Sequence, residues 1–113
     1  KEEYLNRVKE GFYADMHDYG GYGTSYVDRK FLSAGKTGTS QSFIDIDNDG
    51  IIDTETITSS FVGYLPFDKP KMSIVVTSPN SSRPNDYNYF TSYVTLRITK
   101  AVTNKYVEMY GLY

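Results

Sequence analysis

The residues of this sequence best suited to chemistry lie between positions 35 and 41, Gly35-Lys36-Thr37-Gly38-Thr39-Ser40-Gln41. On an extended strand alternate side chains share a face, so Thr37 and Thr39 project together. Gly38 between them leaves the backbone open to close approach. Two hydroxyls beside the Lys36 ammonium make a receptor for a carboxylate. A nucleotide-phosphate reading of Gly35-Lys36-Thr37 fails, because a phosphate loop needs glycine at position 30, where this chain has Lys30. The segment also lacks a glycine-rich turn opening onto a helix.

A second constellation follows, Asp45-Ile46-Asp47-Asn48-Asp49-Gly50-Ile51-Ile52-Asp53. Carboxylates at its first, third, fifth and ninth positions, glycine at the sixth and the Ile51 carbonyl at the seventh reproduce most of a calcium loop. Asp45, Asp47, Asp49, Ile51 and Asp53 are therefore candidate calcium ligands. The twelfth position is Thr56, where a calcium-binding helix-loop-helix has Glu, and Glu55 comes one residue early. With strands on both flanks, a helix-loop-helix is rejected. The same residues also read as a solvated hairpin turn whose geometry comes from Asn48, Asp49 and Gly50. A calcium ion here would be structural, stiffening the hairpin; the chemistry of residues 35–41 requires no cofactor. His17, the one histidine, has no Asp and Ser arranged around it and reads as a helix-end residue.

The elements that must carry these residues follow from the pattern of apolar positions. Leu5, Val8, Phe12 and Met16 recur at helical spacing and predict a helix from Glu2 to about Met16, ended near Asp18 by Gly20, Gly21 and Gly23. Residues 31–46 read as a strand, 45–53 as a turn, and 56–65 and 72–78 as two further strands separated by Pro66 and Pro70. Such short connections favour an antiparallel meander. Residues 78–86 are loop by composition. From Phe90 to Tyr110, the stripe Phe90, Val94, Ile98, Ala101, Val102 and Met109 predicts a closing helix packed through that stripe. The expected fold class is α+β: a three-stranded antiparallel meander flanked by N- and C-terminal helices. Tyr13, Tyr19, Tyr22 and Tyr26 crowd the segment before the first strand, and Tyr87, Tyr89 and Tyr93 flank the last helix. They are expected as half-buried rings with wet hydroxyls, and Tyr64 as core.

Composition narrows the class. Leu, Ile, Val and Phe make up 26 of 113 residues and the net charge is −2, so a compact fold is expected. The absence of cysteine removes disulfides, thiolate metal sites and cysteine nucleophiles. Twelve basic residues against fourteen acidic, with no basic run, leave no footprint for nucleic acid. The longest aliphatic run, Ile74-Val75-Val76, is far short of the roughly 20 residues that span a bilayer.

Three segments together carry a family resemblance: Ala34-Gly-Lys-Thr-Gly-Thr-Ser-Gln41, Ser59-Ser-Phe-Val-Gly-Tyr-Leu-Pro-Phe-Asp-Lys-Pro70 and Met72-Ser-Ile-Val-Val-Thr-Ser-Pro79. They resemble the C-terminal part of the transpeptidase domain of class B penicillin-binding proteins, in which a Lys-Thr-Gly-Thr strand is followed by a Phe-x-Gly-aromatic-x-Pro strand and a third hydrophobic strand. Gly23-Thr24 looks like the Gly-Thr pair that often precedes the first strand, and the last helix fits the family's closing helix. The resemblance covers essentially the whole chain and implies a partial β-lactamase/transpeptidase-like fold, with residues 1–113 as the C-terminal segment of an incomplete domain. The remaining strands and a helical subdomain would come from upstream sequence.

The resemblance also implies roles. Lys36 would support the catalytic hydrogen-bond network and attract the substrate's terminal carboxylate, which the hydroxyls of Thr37 and Thr39 would bind. The Thr39 N–H would be one of two oxyanion-hole donors. The strand edge formed by Thr37, Gly38, Thr39 and Ser40 would pair with the substrate by strand addition. Implied partners are a peptidoglycan stem peptide, β-lactams and the missing N-terminal part of the domain; the membrane enters only through an absent upstream anchor. The implied location is the extracellular face of the bacterial cytoplasmic membrane.

The family's nucleophile motif, Ser-x-x-Lys on a helix, and its Ser-x-Asn motif both lie upstream of Lys-Thr-Gly. Here Ser33-Ala-Gly-Lys36 reuses the strand lysine, and on a strand Ser33 and Lys36 point to opposite faces. Ser78-Pro-Asn80 lies downstream, at the end of a strand. Neither is expected to be catalytic, and the fragment alone is expected to be inactive. A serine β-lactamase or penicillin sensor shares Lys-Thr-Gly, but Phe61-Val-Gly-Tyr-Leu-Pro66 favours the transpeptidase. A non-catalytic, calcium-stabilised surface module is the other alternative.

Overall fold

A computed structural model of the chain describes residues 1–82 and 93–113. The N-terminal helix forms as its spacing requires: α1 runs Glu2–His17, with Glu2 and Glu3 in its first turn, where acidic side chains suit the helix dipole, and His17 in its last. The Asp18 N–H closes the helix on the Ala14 carbonyl at 2.8 Å, and Gly20 then turns the chain at φ 84°. Only Met16 of the apolar stripe is fully buried. Leu5 and Val8 remain more than half exposed, on the wall of an open groove they share with Tyr64, Phe67 and Pro70.

Three strands, β1 (Ala34–Ile44), β2 (Thr54–Leu65) and β3 (Met72–Ser82), form one antiparallel sheet in the order β1-β2-β3. The fold is the expected α+β meander, closed by α2 (Tyr93–Tyr110). Among the described residues no helix is long and apolar enough to cross a membrane.

Two boundaries differ from expectation. β1 starts three residues late because Arg29–Phe31 form a 3-10 turn, capped by the Asp28 carboxylate accepting the Lys30 N–H. β3 continues through residues 78–82, where the composition reads as loop. Asn80 sits there at φ 50°, and the β2–β3 register shifts between Ile57 and Ser59. The Asn80 N–H donates to Thr58 Oγ1 at 3.1 Å, and its side-chain oxygen accepts the Thr56 hydroxyl at 2.7 Å. A turn-forming residue is thus absorbed as a bulge inside the ladder. Residues 83–86 of the expected loop, Tyr87, Tyr89 and the expected helix start at Phe90 lie outside the described residues.

The core gathers Met16, Tyr26, Val27, Phe31, Phe61, Leu65, Ile74 and Val76. Phe61 stacks on Tyr26 with ring centres 4.8 Å apart. Its ring also lies across a cross-strand glycine pair, Gly35 opposite Gly63. A Cβ at Gly35 would come 2.7 Å from Phe61 Cζ, and one at Gly63 would come 2.9 Å from the same atom. Both positions are glycine because the ring occupies the space of their side chains.

The closing helix corrects the sequence expectation. Its fully buried residues are Thr95, Thr99 and Thr103, with Leu96 and Val107 half-buried against the core. The apolar stripe faces outward instead: Val94, Ile98 and Val102 are 40%, 44% and 43% exposed, and Met109 is exposed further. The Thr95 hydroxyl finds partners on the sheet side and the Thr103 hydroxyl within the helix, which lets that face dock. The Thr103 hydroxyl donates to the Thr99 carbonyl at 2.8 Å.

Candidate functional site

Residues 36–40 lie on β1, an outer strand of the sheet that pairs only with β2 among the described residues. The register sets Lys36 opposite Val62, Thr37 opposite Phe61, Gly38 opposite Ser60, Thr39 opposite Ser59 and Ser40 opposite Thr58. Thr37 and Thr39 therefore share the face of Phe61 and Ser59, while Lys36 stands on the other face. Lys36, Gly38, Thr39 and Ser40 are exposed and Thr37 is half-buried. The Lys36 ammonium donates to the Thr37 carbonyl at 3.0 Å.

Gly38 differs in kind from Gly35. A Cβ at Gly38 would meet nothing nearer than Ser60 Cβ at 3.8 Å, an ordinary contact. Packing among the described residues does not require glycine there. The bare backbone at position 38 faces open space instead.

Ser33 is buried just before β1, and its hydroxyl has no hydrogen-bond partner. Lys36 is exposed and bonded elsewhere, so the Ser33-x-x-Lys36 pattern assembles no nucleophile–base pair. His17 closes α1: its Nε2–H donates to the Ser33 carbonyl at 2.8 Å and its ring stacks on Tyr13. The histidine thus fastens the helix end to the entry of β1. Ser78 belongs to β3, not to a strand end, and pairs with Ser59.

Behind Thr39 lies a set of buried hydroxyls that periodicity does not reveal. Ser59 Oγ is 2.8 Å from Thr95 Oγ1, which is 3.1 Å from the Tyr26 hydroxyl. Tyr26 is fully buried, whereas Tyr19 is fully and Tyr22 largely exposed, so the tyrosine cluster is not uniformly half-wet. Tyr64 is half-buried rather than core. Its hydroxyl is enclosed without a partner, and desolvation raises its pKa above the usual tyrosine value.

At the far end of the β1–β2 hairpin, carboxylate oxygens of Asp45, Asp47 and Asp49 lie within 4.8 Å of one another. The backbone uses two of these side chains. Asp45 accepts the N–H groups of Asp49 at 3.1 Å and Gly50 at 2.8 Å, and Asp49 accepts the Ile51 N–H at 2.8 Å. Partial desolvation pushes the Asp45 pKa up, but the Gly50 and Asp49 N–H bonds outweigh it and leave the carboxyl below its ordinary value. Asp53 stands outside the three and takes the Thr54 hydroxyl at 3.5 Å.

Residues 1–105 match the family described as penicillin binding protein transpeptidase domain. The chain belongs to that family. It is also 32% identical over 109 residues to penicillin-binding protein 2A of Bacillus subtilis (strain 168). That alignment covers 96% of this chain and 15% of the relative, so the chain spans about a seventh of the relative's length. Around this candidate site, the packing of Gly35 opposite Gly63 and the hydroxyl contacts of Ser59, Thr95 and Tyr26 escape a reading by motif, although Gly35, Ser59 and Gly63 lie within motif segments. The cross-strand glycine pair needs the register to be known, and the hydroxyl chain joins positions up to 69 apart in sequence.

Proposed function

We propose that this chain forms one wall of a serine acyl-transfer site in a peptidoglycan D,D-transpeptidase, and that the nucleophile comes from residues outside these 113. Lys36 supports the proton-transfer network and draws in the carboxylate of a stem peptide or β-lactam. Thr37 and Thr39 bind that carboxylate, Ser40 extends the strand edge, and the Thr39 N–H stabilises the oxyanion. The carrying observation is Gly38, a glycine on an outer strand that no contact among the described residues explains. A substrate backbone laid along the strand explains it.

The outward stripe of α2 supports the same reading, since a helix apolar on one side and buried on the other is built to be covered on both. The remainder of the transpeptidase domain is the proposed cover. The parent enzyme acts on the extracellular face of the bacterial membrane, where its substrate lies.

In the intact parent, Lys36→Ala should slow acylation by a β-lactam at least about tenfold, or 1.4 kcal/mol in the barrier. Unaltered acylation would refute the reading. The 113-residue chain alone should take no covalent label from a fluorescent penicillin, and labelling would mean that a serine within it is the nucleophile.

A further inference from the structure

Ser59, Thr95 and Tyr26 are 1%, 0% and 2% exposed, and their hydroxyls stand in series at 2.8 and 3.1 Å. The series joins the centre of β2 to α2 and to the segment that leads into β1. Its sheet end is set at a particular level: Ser59 is the cross-strand partner of Thr39 and shares its face. Just beyond that level the β2–β3 ladder slips register, between Ile57 and Ser59. Ser59 still pairs with Ser78, but regular pairing with β3 breaks immediately beyond it, and the hydroxyl bond to α2 adds a fixed point at this last regular position. In a dry interior such bonds hold direction as well as distance, because an alternative arrangement leaves a buried hydroxyl unpaired.

We infer that Ser59, Thr95 and Tyr26 are positioning residues for acyl transfer, holding the β2 backbone so that the Thr39 N–H is aimed at the developing oxyanion. None of the three touches the substrate. The inference rests on the reading of Thr39 proposed above and adds to it a mechanical support that runs through the core to α2.

The test uses the intact parent enzyme and a β-lactam, with the dissociation constant of the pre-covalent complex measured separately from the acylation rate constant. Thr95→Val keeps the side-chain shape and removes the hydroxyl, whereas Thr95→Ser keeps the hydroxyl. Thr95→Val and Ser59→Ala should each slow acylation about tenfold, equal to about 1.4 kcal/mol. Pre-covalent binding should change by less than about twofold, which is about 0.4 kcal/mol on the same scale. Thr95→Ser should restore the rate. Equal loss in Thr95→Val and Thr95→Ser would reduce the network to packing, and unchanged acylation in all variants would remove its role. Should Thr95→Val fail to fold, Tyr26→Phe together with Ser59→Ala reads the same two constants. Lys36→Ala is the control. If it slows acylation while the network variants do not, only this inference falls; if it too has no effect, the underlying site assignment falls.

Discussion

A single methyl group separates the two kinds of glycine in β1. At Gly35 it would press on the Phe61 ring and on the Val62 carbonyl at 2.8 Å, with no flexible side-chain end to give way. Gly35→Ala should therefore destabilise the fold by about 1–3 kcal/mol in urea unfolding, as overpacked core positions do. Gly38→Ala makes only an ordinary contact with Ser60 and should leave stability within about 0.5 kcal/mol, while slowing acylation in the parent. Asp45 makes a further residue-scale prediction. Its carboxylate is held below its ordinary pKa, so its contribution to the turn is complete above the unfolded value of about 3.9 and is lost as pH falls through the lower folded value. The Asp49 and Gly50 amide resonances should stay fixed down to about pH 4 and shift only below it. Asp45→Asn should abolish that transition, and a transition near neutral pH would contradict the assignment. The same spectra in millimolar Ca²⁺ would separate a turn held by its own backbone bonds, with no change, from one that an ion completes.

At the scale of elements, α2 shows what a hydrophobic pattern leaves undecided. Thr99 is wholly buried, yet its Oγ1 has no hydrogen-bond partner. Thr99→Val removes that unsatisfied atom at nearly constant shape and should stabilise the protein by about 1 kcal/mol, read as a higher Tm. A lower Tm would mean that the hydroxyl is satisfied in solution. α1 was legible from sequence because its apolar residues recur with one clear period, β2 and β3 from apolar runs bounded by Pro66 and Pro70, and the turn at 45–53 because Asn48 and Gly50 supply its positive φ. The orientation of α2 was not legible, because two stripes compete along it. One is apolar, Val94-Ile98-Val102; the other is hydroxylated, Thr95-Thr99-Thr103, and periodicity alone favours the first. The choice depends on Ser59 and Tyr26, whose hydroxyls meet Thr95 only after the sheet has formed. The site divides in the same way. Lys36, Thr37, Gly38, Thr39 and Ser40 are contiguous and could be read as a motif, whereas the Phe61 ring across Gly35 and Gly63 exists only in the register of two strands.

For the molecule as a whole, charge is distributed as unevenly as polarity. From Thr37 to Asp68 the chain carries Asp45, Asp47, Asp49, Asp53, Glu55 and Asp68 and no basic residue, so the β1–β2 hairpin is an acidic arm. Its exposed Phe43, Ile46, Ile51 and Ile52 surround those acids. The sheet itself ends in two outer strands, β1 and β3, neither paired on its far side among the described residues. A row of free N–H and C=O groups does not discriminate between a substrate backbone and any other extended chain. The 113 residues produced alone should consequently assemble edge to edge as concentration rises, visible as concentration-dependent light scattering, and the intact parent should not. If the β1 edge receives a peptide as proposed, the same open edge carries a standing tendency to polymerise when nothing covers it.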